Sequence, residues 1–316
     1  MGHKVTIVGA GSVGATIAYT MVQRGLASEI VLVDINNEKA LGEAMDIDQC
    51  TPYCKNPVNI YAGGYDDAKD SDIVIITSGI ARKPGQSRLE LAQTNVNIIK
   101  DIASKVTVQA PNAIYIIVSN PVDVLTYAFI KFSGLPENKV IGSGTILDTA
   151  RLRAKIAQLY SINQQNVHAL VLGEHGDTSF IPWSVASVSN VPIENYWESI
   201  VYKETHTTSF DYEEVTEFVR KSGGTVIARK GATYYAIATS VCHICSCIVG
   251  GIDTALPVST MHNGEYGIND VCISTLAIVG NNGISGKVML PLTDEEQKKL
   301  EASAAKLKEV INSLDI

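Results

Sequence analysis

Gly9-Ala10-Gly11-Ser12-Val13-Gly14 is the first group in the chain whose residue types and spacing could do chemistry. It follows an apolar run at 4–9 and opens a helical pattern, the context in which G-x-G-x-x-G binds a dinucleotide. Gly9 can make the tight turn and Gly11 lets backbone approach a pyrophosphate. Gly14 lets the helix pack close to the strand. The helix N-terminus attracts the phosphates, with Val13 beside them as a further cofactor-binding residue. Asp34 ends the run 29–34, twenty residues after Gly14. A carboxylate there can accept both ribose hydroxyls and would repel a 2′-phosphate. Ile35, Asn36 and Asn37 follow, with no Arg, so the expected cofactor is NAD rather than NADP. The plainer alternatives are a ligand-free tight turn and a solvated strand-end carboxylate.

Further along, Gly79 follows another apolar run and leads into Ile80-Ala81-Arg82-Lys83-Pro84-Gly85-Gln86-Ser87-Arg88. Three cations within seven residues, with Pro-Gly between, suit a mobile lid over a site, or else a solvated basic loop. Asp148 and Arg151 are three apart and share a face if helical. His175 stands in Gly173-Glu174-His175-Gly176-Asp177. An imidazole is the natural proton carrier near neutral pH, although a lone His is more often structural. Cys242, Cys245 and Cys247 do not all share one helical face, so packing rather than zinc is expected of them. Cys50 and Cys54 read as free thiols, and no metal site is expected.

These groups need elements to position them. Strand patterns at 4–9, 29–34, 72–79 and 113–120 alternate with helical ones, the first at 12–24 ending on Gly25. Near-continuous apolar runs fit strands covered on both faces. The fold class expected is α/β: a doubly wound parallel sheet over residues 1–143, then a mixed α+β substrate domain over 144–316. In the second half we expect a helix at 148–160, a strand at 167–172 and helices at 211–222 and 226–249. A hairpin near 256–290 and a final helix from Asp294 complete it. No linker separates the halves, so a tight interface is expected.

The chain has 316 residues, is 46% hydrophobic and 18% charged, and carries a net charge of −8, which excludes disordered and fibrous classes. No basic block suggests nucleic acid. No apolar stretch reaches the ~18 to 20 residues of a membrane span. The opening MGHKVTIVGAGSVG lacks the apolar region of a signal peptide, so none is expected. Six cysteines form no disulfide framework, and a reducing cytoplasm is the default.

Taken in order, these motifs resemble the L-lactate/malate dehydrogenase family, from about residue 4 to 312. SNPVDVLTY (119–127), GSGTILDTARLR (142–153), VLGEHGD (171–177) and GNNGISGKV (280–288) look most like its bacterial lactate dehydrogenases. The resemblance implies a Rossmann-type domain and an oxidoreductase acting on a small 2-oxo or 2-hydroxy acid. It makes His175 the acid/base and Asp148 its partner. Arg151 becomes the clamp on the substrate carboxylate, and Arg88 the group that polarises the carbonyl. Asn120 contacts substrate and cofactor, and Gly79 lies by the cofactor.

One position departs from the lactate pattern. Arg82, six residues before Arg88, stands where malate enzymes place an Arg for a second carboxylate and lactate enzymes a Gln. Thr233, Ile237 and Glu174 resemble the lactate enzymes instead. The expected activity is therefore L-lactate dehydrogenase, with malate dehydrogenase as the alternative. A binding protein that senses NAD or a ligand is the non-enzymatic alternative. Arg153 and His168 fall where bacterial members bind fructose 1,6-bisphosphate between subunits, which implies an allosteric homotetramer.

Overall fold

The computed structural model describes residues 2–80, 87–201 and 210–316, without the side chain of Arg88. The first half alternates β1 (Lys4–Val8), α1 (Ser12–Arg24), β2 (Glu29–Val33), α2 (Asn37–Asp48), β3 (Asn59–Ala62) and β4 (Ile73–Ile76). Then come α3 (Arg88–Gln109), β5 (Ile114–Ile117), α4 (Val122–Ser133) and β6 (Val140–Gly142). The strands pair in parallel in the order β3-β2-β1-β4-β5-β6, the expected doubly wound sheet.

Register is what matters for a site. Val8 pairs with both Val33 and Ile76, Ile76 with Ile117, and Ile117 with Gly142. The strands therefore end flush. Gly9, Asp34, Thr77, Val118 and Ser143, the residues that follow, stand along one carboxyl edge. The strand order reverses between β1 and β4, and ligands of such sheets bind in the crevice at that point.

The second half holds α5 (Ile146–Tyr160), β7 (Val167–His168), β8 (Ser187–Val188), β9 (Val191–Pro192) and α6 (Ile193–Tyr196). It continues through α7 (Tyr212–Lys230), α8 (Tyr235–Gly250), β10 (Thr254–Asn263), β11 (Asn269–Gly280), β12 (Gly283–Lys287) and α9 (Asp294–Asn312). The expected hairpin is a three-stranded antiparallel meander. Its β10 pairs with β6, so the large sheet runs on as nine strands among the described residues.

One apolar layer packs α1, α2 and α8 on one face of the sheet. A second packs α3, α4 and α9 on the other. Strands buried on both sides need apolar side chains at every position, and β4 (IVII) and β5 (IYII) have them. A third cluster joins α5, α7 and the small sheet of β7, β8 and β9. Cys242, Cys245 and Cys247 are buried in α8 as packing residues, and burial pushes the Cys242 thiol up to about 12.

Two expectations change. The strand read over 167–172 stops at His168, because side chains of α5 and of the preceding Thr145 take its backbone groups. Arg153 Nε donates to the Ala169 carbonyl, Thr149 Oγ1 accepts the Val171 N–H, and Thr145 Oγ1 donates to the Val171 carbonyl. The helical break read between 222 and 226 lies instead at Gly231, where φ is +85°. Gly223 and Gly224 stay helical within α7.

Candidate active site

The glycine turn has the geometry its chemistry needs. Gly9 has φ +109°, and a Cβ there would lie 2.6 Å from Thr77 Oγ1. At Gly14 a Cβ would lie 1.9 Å from the Gly9 carbonyl oxygen, so only glycine lets α1 pack on the turn. Around Gly11 nothing lies within 4 Å, so backbone there is open to a ligand. No side chain caps α1, and the N–H groups of its first turn remain for an anion.

Asp34 accepts the Ala10 N–H at 2.7 Å and the Asn36 N–H at 2.9 Å. It braces the glycine turn, a structural duty the motif does not reveal, and lone pairs remain for ribose hydroxyls. Gly9, Gly11, Asp34 and Gly79 line a cavity of about 460 Å³, together with Tyr65 and Ile98. A second cavity, of about 500 Å³, is lined by Val13, Gly79, Asn120, Asp148, Arg151 and His175. Thr233 and Ile237 also face it. Thr77 and Gly79 line both, so the two meet at the switch point. The residues present fit a dinucleotide laid across the sheet edge.

Within the second cavity the catalytic candidates form one unit. His175 Nδ1 lies 2.5 Å from Asp148 Oδ2, and Arg151 Nη1 donates to Asp148 Oδ1 at 2.9 Å. Asp148 and Arg151 share a face of α5 as their spacing predicts, with side chains 8% and 15% exposed. Burial would pull the His175 pKa down. The Asp148 carboxylate, by charge and hydrogen bond, with Asp123 adding, instead holds it above the usual histidine value. Burial likewise opposes the Asp148 anion, but the charges and hydrogen bonds of His175 and Arg151 hold its carboxyl below the usual range. The pair favours imidazolium beside carboxylate, with Nε2 left for a substrate oxygen.

The motifs give no such role to several residues that matter here: Asp123 lies within SNPVDVLTY without being singled out, and Asn95 and Arg220 lie in no motif. Asp123, buried on α4, accepts the His175 N–H at 2.8 Å. Burial pushes its carboxyl up to about 6, against the Ser259 hydroxyl and the His175 amide, which favour the anion. Asn95, 1% exposed on α3, accepts the Ile80 N–H and donates to the Asn120 carbonyl, joining two edges of the cavity. Asn120 precedes a cis proline, Pro121. Arg220 of α7 lines the cavity and donates to the Ser179 carbonyl. Arg82 and the side chain of Arg88 lie outside the described residues.

Away from the cavity, Arg153 is bound to the carbonyl of Ala169, the neighbour of the exposed His168. Burial, then the charges of Arg24 and Arg153, push the His243 pKa down. No helix among the described residues is long and apolar enough to cross a membrane.

Known proteins match this chain over both halves. Residues 3–142 match the family model described as lactate/malate dehydrogenase, NAD binding domain, and residues 145–315 the corresponding alpha/beta C-terminal domain. An L-lactate dehydrogenase of Acetivibrio thermocellus is 44% identical over 313 residues, covering 99% of this chain and 98% of that protein. One from Clostridium botulinum (strain Loch Maree / Type A3) is 45% identical over 312 residues, covering 98% of this chain and 96% of its own. The crystal structure of a minor L-lactate dehydrogenase from Enterococcus mundtii superimposes with a TM-score of 0.94 at 38% identity, covering 100% of this chain and 99% of that one. A lactate dehydrogenase from a Medee basin deep-sea metagenome library gives 0.94 at 40% identity, covering 99% of each. With a dinucleotide crevice, a His–Asp–Arg unit beside it and likeness along its whole length, the chain belongs to the lactate/malate dehydrogenase family.

Proposed function

We propose that this chain is an NAD-dependent L-2-hydroxy acid dehydrogenase whose main couple is pyruvate and L-lactate. The observation that carries this reading is the His175–Asp148–Arg151 unit, which faces one cavity next to the glycine turn. Residues 1–143 are the cofactor domain and 144–316 the substrate domain. NAD, when bound, supplies or takes up the hydride at substrate C2. As charge grows on the C2 oxygen during reduction, imidazolium Nε2 gives it a proton and His175 is left neutral against Asp148. Oxidation runs the proton the other way. Arg151 pairs with the substrate carboxylate through its planar fork. Arg88 polarises the carbonyl, Asn120 hydrogen-bonds the substrate, and Thr233 closes the pocket.

The names of the relatives support lactate over malate. Arg82 is the specific observation on the other side, since it could pair with the distal carboxylate of oxaloacetate. Initial rates with pyruvate and with oxaloacetate under NADH decide between them. Pyruvate should be the better substrate, with measurable leakage to oxaloacetate. Arg82→Gln should raise kcat/KM for pyruvate and depress it for oxaloacetate. A preference for oxaloacetate of a hundredfold, about 2.7 kcal/mol, would make the malate reading the right one.

The assembly we propose is a homotetramer that responds to fructose 1,6-bisphosphate. The resemblance of Arg153 and His168 to the effector-binding positions of bacterial members supports a phosphate site, and so does the charge of Arg24, which acts with that of Arg153 on His243. Six cysteines, all free, support work in a reducing cytoplasm.

A further inference from the structure

The loop that carries His175 is held by three successive amides, each given to a different element. Gly173 N–H donates to the Ser274 carbonyl of β11 at 3.0 Å, and Glu174 N–H to Ser303 Oγ of α9 at 2.9 Å. His175 N–H donates to Asp123 of α4 at 2.8 Å. The middle anchor continues as a ring. Thr178 Oγ1 donates to Glu174 Oε2 at 2.6 Å, and Thr178 Oγ1 and Ser303 Oγ are 2.8 Å apart. Thr178 has one proton and spends it on the carboxylate, so Ser303 is the donor to Thr178 and the acceptor from Glu174. Every hydrogen in the ring then has one direction.

Ser303 is fully buried, and Gly173 leaves no room beside it, because a Cβ there would lie 3.0 Å from Ser303 Oγ. Glu174, which by resemblance looks lactate-type, thus turns its carboxylate back onto its own loop. We infer that the Ser303–Thr178–Glu174 ring is a positioning device for the catalytic histidine, with Ser303 its keystone on the C-terminal helix. Ser303 lines neither cavity; it acts through the backbone amide of Glu174, next to His175. The inference rests on His175 being the acid/base of the proposed reaction.

Loss of the ring lets the Glu174 peptide rotate, which slackens the contact between His175 and Asp148. The groups that set the His175 charge are Asp148 and Arg151 on α5 and Asp123 on α4. Of these, Asp148 also hydrogen-bonds the imidazole, at 2.5 Å, and such a contact responds sharply to a small tilt. A misplacement of a fraction of an ångström should cost about tenfold in rate.

The experiment compares Ser303→Ala, Thr178→Val and Thr178→Ser with wild type, using His175→Ala to assign the His175 resonance. The readouts are the His175 titration by NMR, kcat and KM for pyruvate, and NADH affinity. Ser303→Ala and Thr178→Val should lower the His175 pKa and cut kcat about tenfold, with NADH affinity unchanged. Thr178→Ser keeps the hydroxyl and should restore both. Because Thr178 is partly exposed, its variants fold even if Ser303→Ala does not. A wild-type titration and kcat in Ser303→Ala or Thr178→Val overturns the inference, even if melting temperature falls. If the titration shifts as expected but wild type turns over no 2-oxo acid, the positioning role stands and the proposed function fails.

Discussion

His175 owes its chemistry to the balance between burial and a carboxylate 2.5 Å away. Its pKa is raised, so pyruvate reduction, which needs imidazolium, should run at full rate below the raised value and fall as pH climbs through it. Asp148→Asn removes the largest favourable contribution and leaves burial opposed only by Asp123. The fall should then move to lower pH, and kcat should drop by roughly 10²- to 10⁴-fold. A pH–rate profile of the Asn variant that overlays wild type would take Asp148 out of the unit. Asp34 makes a different test. In the role proposed for it, its charge would repel a 2′-phosphate, while its oxygens hold the Ala10 and Asn36 amides. Asp34→Asn keeps one carbonyl acceptor and removes the charge. The ratio of kcat/KM for NADPH over NADH should rise roughly tenfold, equivalent to about 1.4 kcal/mol. Wild type that already uses both cofactors equally would disprove the role given to Asp34.

At the scale of elements, the β10–β11 pair hides a histidine outside the reaction. His262 Nδ1 lies 3.0 Å from the Thr260 carbonyl, so it carries the hydrogen, and Nε2 accepts from Thr275 at 3.1 Å. It is fully buried, and burial first, then the Lys287 charge, push its pKa down to about 4. The folded state therefore resists a proton that the unfolded chain takes near 6.5. Stability from this source is complete above about pH 7 and is lost as pH falls toward 4, by about 2 kcal/mol at pH 5. His262→Gln should flatten that part of the urea-midpoint curve, and an unchanged slope between pH 7 and 5 would refute it. Elements of this kind differ in how far sequence reveals them. α1 is readable to the residue because Gly11 and Gly25 punctuate it; β4 and β5 are readable as strands because their cores are apolar, but they stop short of the runs read at 72–79 and 113–120. The stretch 167–172 is not readable, because its apolar pattern is that of a strand while its partners are side chains of α5. The site divides in the same way. His175, Asp148 and Arg151 stand in compact motifs. Asp123 and Ser303 reach the loop from 52 and 129 residues away, where only the fold makes them neighbours.

For the whole molecule, the net charge of −8 conceals an uneven distribution. Arg153 Nε holds the Ala169 carbonyl, and its charge joins that of Arg24 in acting on His243. If the proposed tetramer brings such like charges against their copies, the contact is costly, because repulsion between partly desolvated cations is poorly screened. An anion with two phosphates reverses the sign by pairing with both sets at once, and guanidinium suits phosphate in bidentate form. In the proposed tetramer the effector thus binds the assembled state better than the separated one, and by linkage it shifts assembly toward that state. At a hundred times its Kd the stabilisation is about 2.7 kcal/mol per site, enough to lower the concentration for assembly severalfold. Sedimentation of dilute protein should therefore shift to the larger species with fructose 1,6-bisphosphate, and the apparent KM for pyruvate should fall in parallel. Arg153→Gln should abolish both responses while leaving kcat at saturating pyruvate intact. Inorganic phosphate at equal charge concentration should do less, since it cannot span two sets. Sedimentation and KM that ignore the effector would leave Arg153 with the one task its geometry shows, holding the Ala169 carbonyl against α5.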